Sequence, residues 1–268
     1  MEDKAGVFKM NTRKNNDLRI RIAEMVYNSK EGHIPSAYSI IDILSALYDK
    51  ILKYDSKNPE WAERDYFILS KGHGCKALYV ILEKYGFITK EDIFRKEKII
   101  LGGHPDCTKV PGVEASTGSL GHGVVTAMGI ALGLKIKKKA NKVIALIGDG
   151  ENNEGTVWET ALIAQNLKLG NLCVVVDNNE SLAQILKYHD LNKMWDSFGW
   201  NVYEINGHDE EELISTFNKI SFNYNFPPSV IIANTVKGKG VDFIEGHGHW
   251  HHKIPTIKEL ETIMRRLS

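Results

Sequence analysis

The sequence predicts an α/β protein, a doubly wound and mostly parallel sheet with helices on both faces. Three observations carry that expectation. Val143 to Ile147 is an apolar run with no polar interruption, the pattern of a strand buried on both faces. Leu172 to Val176 is a second such run, rich in β-branched residues. Between them Val157, Ala161, Ala164 and Leu167 recur at helical spacing. Together they form a βαβ unit, and the right-handed crossover makes its strands parallel. The first strand ends in Gly148-Asp149-Gly150 and the second in Asp177-Asn178-Asn179. Asp149 and Asn179 should therefore emerge side by side at the carboxyl edge of the sheet, where open α/β folds bind ligands.

The remaining elements follow in order. Residues 1–15 read as a polar tail, and 16–268 as a single domain without repeat or linker. Leu18 to Ser29 is a helix with Ile22, Met25 and Val26 on one face. Glu31 to Ser36 interrupts it as a loop in which Gly32 stops the helix and Pro35 bars immediate continuation. A helix resumes over Ser39 to Ile51, Asp65 to Leu69 is a short strand, and Ala77 to Tyr85 is the next helix. Residues 86–118 are irregular and glycine-rich after a short helix near Glu91 to Lys96. Gly121 to Leu134 is a helix of small residues that would let another backbone approach closely, a candidate subunit interface. The basic run Lys135 to Lys142 complements that helix's dipole and stays solvated. After the βαβ unit come a helix at Asp190 to Phe198, a strand Asn201 to Ile205, a helix Glu210 to Ile220, a strand Val230 to Ala233 and a short C-terminal helix.

Composition narrows the function. With 268 residues and 43% hydrophobic content the chain can bury a large core. Lys plus Arg equals Asp plus Glu at 34 each, so no global field favours nucleic acid or an anionic membrane. Cys75, Cys107 and Cys173 lie far apart without a CxxC pair, which argues against a disulfide framework and suits a reducing compartment. The N-terminus lacks an apolar signal core and no run is long enough to span a bilayer, so a soluble cytoplasmic protein is expected.

The predicted sheet edge has a definite chemistry. Asp149 offers a carboxylate, Asn179 an amide oxygen, and the loop after it backbone carbonyls near Ser181. Oxygen-only ligation of mixed charge suits Mg²⁺, with Ca²⁺ or Mn²⁺ as substitutes, and a diphosphate ester is the natural co-ligand. A helix opening just after Gly150 would add free N–H groups. Neither a GxxxxGK[ST] loop nor a GxGxxG after the first recognisable strand is present, which weakens nucleotide readings.

At these residues the chain resembles the transketolase family of thiamine diphosphate enzymes. GDG is followed about thirty residues later by NN. SKGHG (70–74), GGHPD (102–106), STGSLGHG (116–123), ENNEG (151–155), FGW (198–200), GHD (207–209) and TVKGKGVDF (235–243) extend the likeness from Ile20 to Pro255. The resemblance implies the diphosphate-binding (PP) domain fold and transfer of a two-carbon ketol unit from a ketose, expected to be a sugar phosphate, to an aldose. It implies that Asp149, Asn179 and the backbone oxygen of Ser181 ligate Mg²⁺, and that His73 and His251 reach the diphosphate or the donor sugar. His33 and His104 would handle substrate hydroxyls and protons. Gly118 and Leu120, with Ser119 between them, match the backbone that holds the aminopyrimidine; Gly148, Gly150 and Glu151 join Asp149 and Asn179 in binding the cofactor. Glu154 would link two cofactor sites across a dimer, and Arg95 would bind a sugar phosphate. The choice of His251 over His252 rests on aligning WHHKIP with a WHGKAP pattern.

Two departures from the family pattern shape the expectation. Ile34, Pro35 and Ser36 stand where small residues are usual after His33, which bears on substrate shape. The family's pyrimidine-activating glutamate belongs to a domain with no counterpart after Pro255. A split enzyme is therefore expected: this N-terminal subunit, active only with a C-terminal subunit carrying the pyrimidine-binding and C-terminal domains, in an α2β2 heterotetramer. Two alternatives stay open. One is a different thiamine diphosphate reaction on the same half-fold, such as 2-oxo acid decarboxylation or specialised ketol transfer. The other is a non-catalytic relative keeping only the fold. Taken singly, each histidine would more readily cap backbone than catalyse. His122 reads as backbone support, His189 and His208 as surface or turn residues, and His247, His249, His251 and His252 are too crowded for a closed zinc site. Trp195, Trp200 and Cys173 read as core.

Overall fold

The computed structural model describes residues 15–90, 101–182, 186, 190–246 and 248–268. The short helix expected near Glu91 to Lys96, with Arg95, and nearly all of the N-terminal tail lie outside the described residues, as do His189 and His247.

Strands β1 (Tyr66–Leu69), β2 (Val143–Gly148), β3 (Leu172–Asn178), β4 (Asn201–Asn206) and β5 (Ser229–Asn234) form one sheet in the order β1-β2-β3-β5-β4. Every pairing is parallel. The strand at residues 66–69, legible only as a short candidate, pairs along its whole length with Val143 to Leu146. β2 is buried at all six positions and β3 at its first six, as continuous apolar runs require when helices cover both faces.

Alternation along the strands divides the core. Ile144, Leu146, Cys173, Val175 and Ile231 face one side, covered by α1 (Asn16–Ser29), α2 (Ile34–Ala46), α3 (Cys75–Lys84), α7 (Glu210–Lys219) and α8 (Ile257–Leu267). Val143, Ala145, Ile147, Val174, Val176 and Ile232 face the other, covered by α4 (His122–Ile136), α5 (Gly155–Asn166) and α6 (Leu191–Ser197). Trp195 and Trp200 are buried in this second layer, ring centroids 4.8 Å apart. Cys173 is fully buried.

Three local expectations are corrected. Pro35 does not delay the second helix: α2 begins at Ile34 with Pro35 in its first turn, where the missing N–H has no helical acceptor to lose. The helix then ends in a wider π turn, Leu47–Ile51. The helix expected just after Gly150 is a 3₁₀ turn, Asp149–Asn153, and α5 starts only at Gly155. The basic run after α4 does more than stay solvated: Lys135 donates to the carbonyls of Leu167 and Lys168, and Lys139 pairs with Glu63.

Ile231, fully buried at the centre of β5, tests the assignment of the first layer. Ile231→Ala should cost about 2–5 kcal/mol of unfolding free energy in a urea titration, with an unchanged m-value.

Candidate functional site

Strand register brings the site together. Gly148 pairs with Asp177, and Asn178 with Asn234, so the loops after β2, β3 and β5 leave the sheet at one level. β1 ends one pair short of them, and Ser70 still donates its N–H to the Leu146 carbonyl at 2.9 Å. Asp149 Oδ2 accepts the Leu182 N–H at 3.1 Å, while Asn179 Oδ1 accepts the Ser181 N–H at 3.1 Å. Thus the carboxylate and the amide oxygen close on the same two-residue turn, as the crossover argument requires. Burial raises the Asp149 carboxyl above its ordinary proton affinity; Asp177 adds to that, and the Leu182 N–H and Lys71 oppose it. A desolvated carboxylate, an amide oxygen and a main-chain carbonyl are a donor set that fits a hard divalent cation. Among the described residues, no group of three or more His, Cys, Asp or Glu side chains converges as for a metal ion. The expected Mg²⁺ donors include only one such side chain.

Asp177, unassigned by the sequence reading, is the hub beneath this edge. Fully buried, it accepts hydrogen bonds at Oδ2 from Ser39 Oγ at 2.7 Å, from Asn179 Nδ2 at 2.9 Å and from the Lys71 ammonium, and at Oδ1 from Thr235. The bond to Nδ2 sets which end of the Asn179 amide faces the turn. Lys71, itself buried, is the charge partner of Asp177. A second ammonium, Lys237, donates to Ser181 Oγ at 2.8 Å and lies 3.0 Å from His251 Nδ1. Burial, then Lys71, lowers its pKa. Both lysines sit inside motifs already recognised, SKGHG and TVKGKG, and their charge was the available signal.

The structure gathers His33, His73 and His251 beside these lysines. The His33 ring lies 5.4 Å from that of His73 and 5.1 Å from that of His251. His252 is also present, its ring 4.6 Å from His33, so both candidates of the WHHKIP segment reach the cluster. Hydrogen bonds decide two tautomers. His33 Nδ1 lies 2.8 Å from the His251 carbonyl, which can only accept, so Nδ1 carries the proton and Nε2 the lone pair. His251 Nδ1 faces the Lys237 ammonium and accepts, so its proton is on Nε2. Burial lowers His33 to about 4 and, with Lys71, His73 to about 2; burial and Lys237 lower His251. These imidazoles are neutral at pH 7.

Close backbone approach builds the opposite wall. A Cβ on Gly72 would lie 3.0 Å from Gly118 N, and one on Gly123 would lie 2.6 Å from Ser70 Cα, so the SKGHG and STGSLGHG loops touch without side chains between them. Gly118 in turn faces the His104 ring, with 3.0 Å from an added Cβ to Cδ2. Leu120 is partly exposed beside Ser119, and Glu154 caps α5 next to Gly121. The Glu151 carboxylate accepts from Ser70 Oγ at 2.6 Å, Gly121 N–H at 2.9 Å and Gly148 N–H at 2.9 Å, pinning three loops at once. His122 turns its ring toward the Leu120 carbonyl. His208 is no free surface residue: Nδ1 bonds Asp42 at 2.7 Å and Nε2 accepts the Val236 N–H at 2.8 Å, anchoring the segment that carries Lys237. Ile34, Pro35 and Ser36 are buried, so their influence on substrate shape is indirect.

Residues 10–266 match the family described as transketolase, thiamine diphosphate binding domain. The chain belongs to this transketolase family. One of the two subunits of an apulose-4-phosphate transketolase, from Phocaeicola vulgatus, is 39% identical over 257 residues, covering 93% of this chain and 91% of that one. A 6-deoxy-6-sulfo-D-fructose transketolase subunit of a Clostridium species is 37% identical and covers 80% of each. The solved transketolase of Campylobacter jejuni superposes with a TM-score of 0.85 at 30% identity, covering 97% of this chain but 42% of its own. The chain thus spans well under half of the solved transketolases it matches, yet nearly the full length of the Phocaeicola relative.

Two measurements probe this transketolase-family site. Asp177→Ala strands a buried ammonium and should cost about 3–5 kcal/mol in chemical denaturation, whereas the pair Asp177→Leu with Lys71→Met should cost much less. Because the folded pKa of His33 is depressed from 6.5 to about 4, and that of His73 further, the unfolded chain binds protons first. Stability should therefore be full above about pH 6.5 and decline toward pH 4, and His33→Asn should flatten that decline in thermal melts.

Proposed function

We propose that the chain is the diphosphate-binding, N-terminal subunit of a two-component transketolase that moves a two-carbon ketol unit from a ketose phosphate to an aldose. The observation that carries this reading is the closure of Asp149 and Asn179 on the 181–182 turn beside a neutral histidine cluster. Asp149, Asn179 and the Ser181 carbonyl would hold Mg²⁺, and the cation would bring a diphosphate to Lys237 and His73. Thiamine diphosphate, when bound, supplies the nucleophilic carbon and the electron sink that cleavage beside a carbonyl needs. The protein's own part is positional and protonic. His33 presents a lone pair at Nε2 and accepts a substrate hydroxyl proton there. His251 presents N–H at Nε2 and donates toward a developing oxyanion. General acid–base help of this kind contributes about 10²–10⁴-fold. Gly118, Ser119 and Leu120 would line the pyrimidine end, and His104 would meet the sugar.

The partner supplies what this chain lacks, the pyrimidine-binding half, and α4 offers the seam. A Cβ added at Gly129 or Gly133 would meet nothing within 4 Å, and Leu162, Ile163 and Leu167 at the neighbouring α5 are exposed. Related subunits named for apulose 4-phosphate and 6-deoxy-6-sulfo-D-fructose support a sugar carrying an anionic group.

Asp149→Ala should abolish Mg²⁺-dependent thiamine diphosphate binding in calorimetry of the assembled enzyme. The purified chain should show no ketol transfer until its second subunit is added; an ordinary rate from the chain alone would disprove the split.

A further inference from the structure

We infer that Lys76 is a positioning residue that holds the loops bearing His33 and His104 in fixed register, and thereby sets how tightly substrate hydroxyls are gripped. The inference rests on the proposed roles of those two histidines. Lys76 lies in the first turn of α3 and is fully buried, an environment that lysine enters only when its ammonium is satisfied. Its stem passes under the His33 loop: a Cβ added at Gly32 would lie 3.1 Å from Lys76 Cγ and 3.2 Å from Cε. Its ammonium ends under the other loop, donating to the carbonyls of Leu101 at 3.2 Å and Gly102 at 3.3 Å. One side chain therefore spans the seam between the two histidine loops.

Neighbouring groups on α3 act in the same direction. Cys75 Sγ donates to the Gly102 carbonyl at 3.5 Å, and Tyr79 Oη to the His104 carbonyl at 2.8 Å. Three side chains of one helix thus serve the carbonyls of residues 101, 102 and 104, the last being the histidine itself. The seam is closed from above by Glu31, whose Oε1 would sit 2.3 Å from a Cβ at Gly103. Burial lowers the Lys76 pKa and the Glu31 charge offsets part of that, so the carboxylate at the surface supports the ammonium below. Glu31 is exposed, and among the described residues the Lys76 ammonium bonds these two carbonyls rather than Asp149, Asn179 or a histidine ring. Lys76 is consequently separable from the cofactor edge. A displacement of about 1 Å between groups that bind one substrate can cost about 10²-fold, so a residue acting only through spacing can govern substrate affinity.

The test uses the native two-subunit enzyme with Mg²⁺ and thiamine diphosphate. Lys76→Met keeps the length of the stem and removes the donors. It should raise the KM for sugar substrates about tenfold or more while kcat changes by less than about threefold. The Kd for thiamine diphosphate should stay within about twofold. Amide hydrogen exchange should accelerate at residues 101–106 and remain unchanged at 148–153. Lys76→Gln, which retains one donor, should fall between native and Lys76→Met. Glu31→Gln, an exposed change that leaves the core intact, should shift KM in the same direction by less. Native KM and native exchange at residues 101–106 in Lys76→Met, or a lowered Tm with neither effect, would overturn the inference. If the native assembly transfers no ketol unit, the functional reading falls, and the exchange comparison alone decides the positioning role.

Discussion

The Asp177 carboxylate, enclosed at the end of β3, accepts hydrogen bonds from Ser39, Asn179, Thr235 and the Lys71 ammonium, which lie on four separate segments. A carboxylate without water must be satisfied by the protein, and a buried lysine must be paired. Each demand meets the other at one point, so α2, the SKGHG loop, the amide of Asn179 and the segment after β5 hold one relative arrangement. Glu151 repeats the device one strand away, joining Ser70, Gly121 and Gly148. Two buried carboxylates therefore place the segments whose outer atoms form the site.

Electrostatics at that edge follow from burial. With His33, His73 and His251 held neutral, positive charge resides on Lys237 and on Lys71, which Asp177 compensates. An anion entering the site would find a single largely uncompensated ammonium, backbone N–H groups and, if a divalent cation sits on Asp149 and Asn179, that cation. Neutral imidazoles with opposite tautomers give the substrate side both an acceptor and a donor, a combination that protonated histidines could not offer. The Lys237–His251 contact and the His33 bond to the His251 carbonyl also tie the segment around Trp250 to the site, although few regular hydrogen bonds hold that segment elsewhere.

Periodicity and apolar runs made the sheet, its parallel sense and the helices around it legible, because a strand buried on both faces has no room for polar alternation. They also placed Asp149 and Asn179 at a common edge. Errors were local. Pro35 read as a break because proline punctuates helices, but in the first turn its ring costs nothing. His208 read as a turn residue because a lone histidine carries no pattern, and its ties to Asp42 and Val236 cross long stretches of chain.

What the sequence determined by itself was the layout: which segments are strands, which turns lie at the carboxyl edge, and that glycine-rich loops with histidines surround an oxygen donor set. Strand order, β1-β2-β3-β5-β4, was left to the tertiary structure, since linear order does not say which neighbour a strand will choose. So were the roles of Asp177, Glu151, Lys71, Lys76 and Lys237. A buried charge is recognised only by its partners, and the partners of Lys76 stand twenty-five and twenty-six positions away in the chain. Burial turns Asp177 into a hub, Glu151 into a pin, Lys76 into a clamp and Lys237 into an anion hold, and it exists only once those distant segments have met.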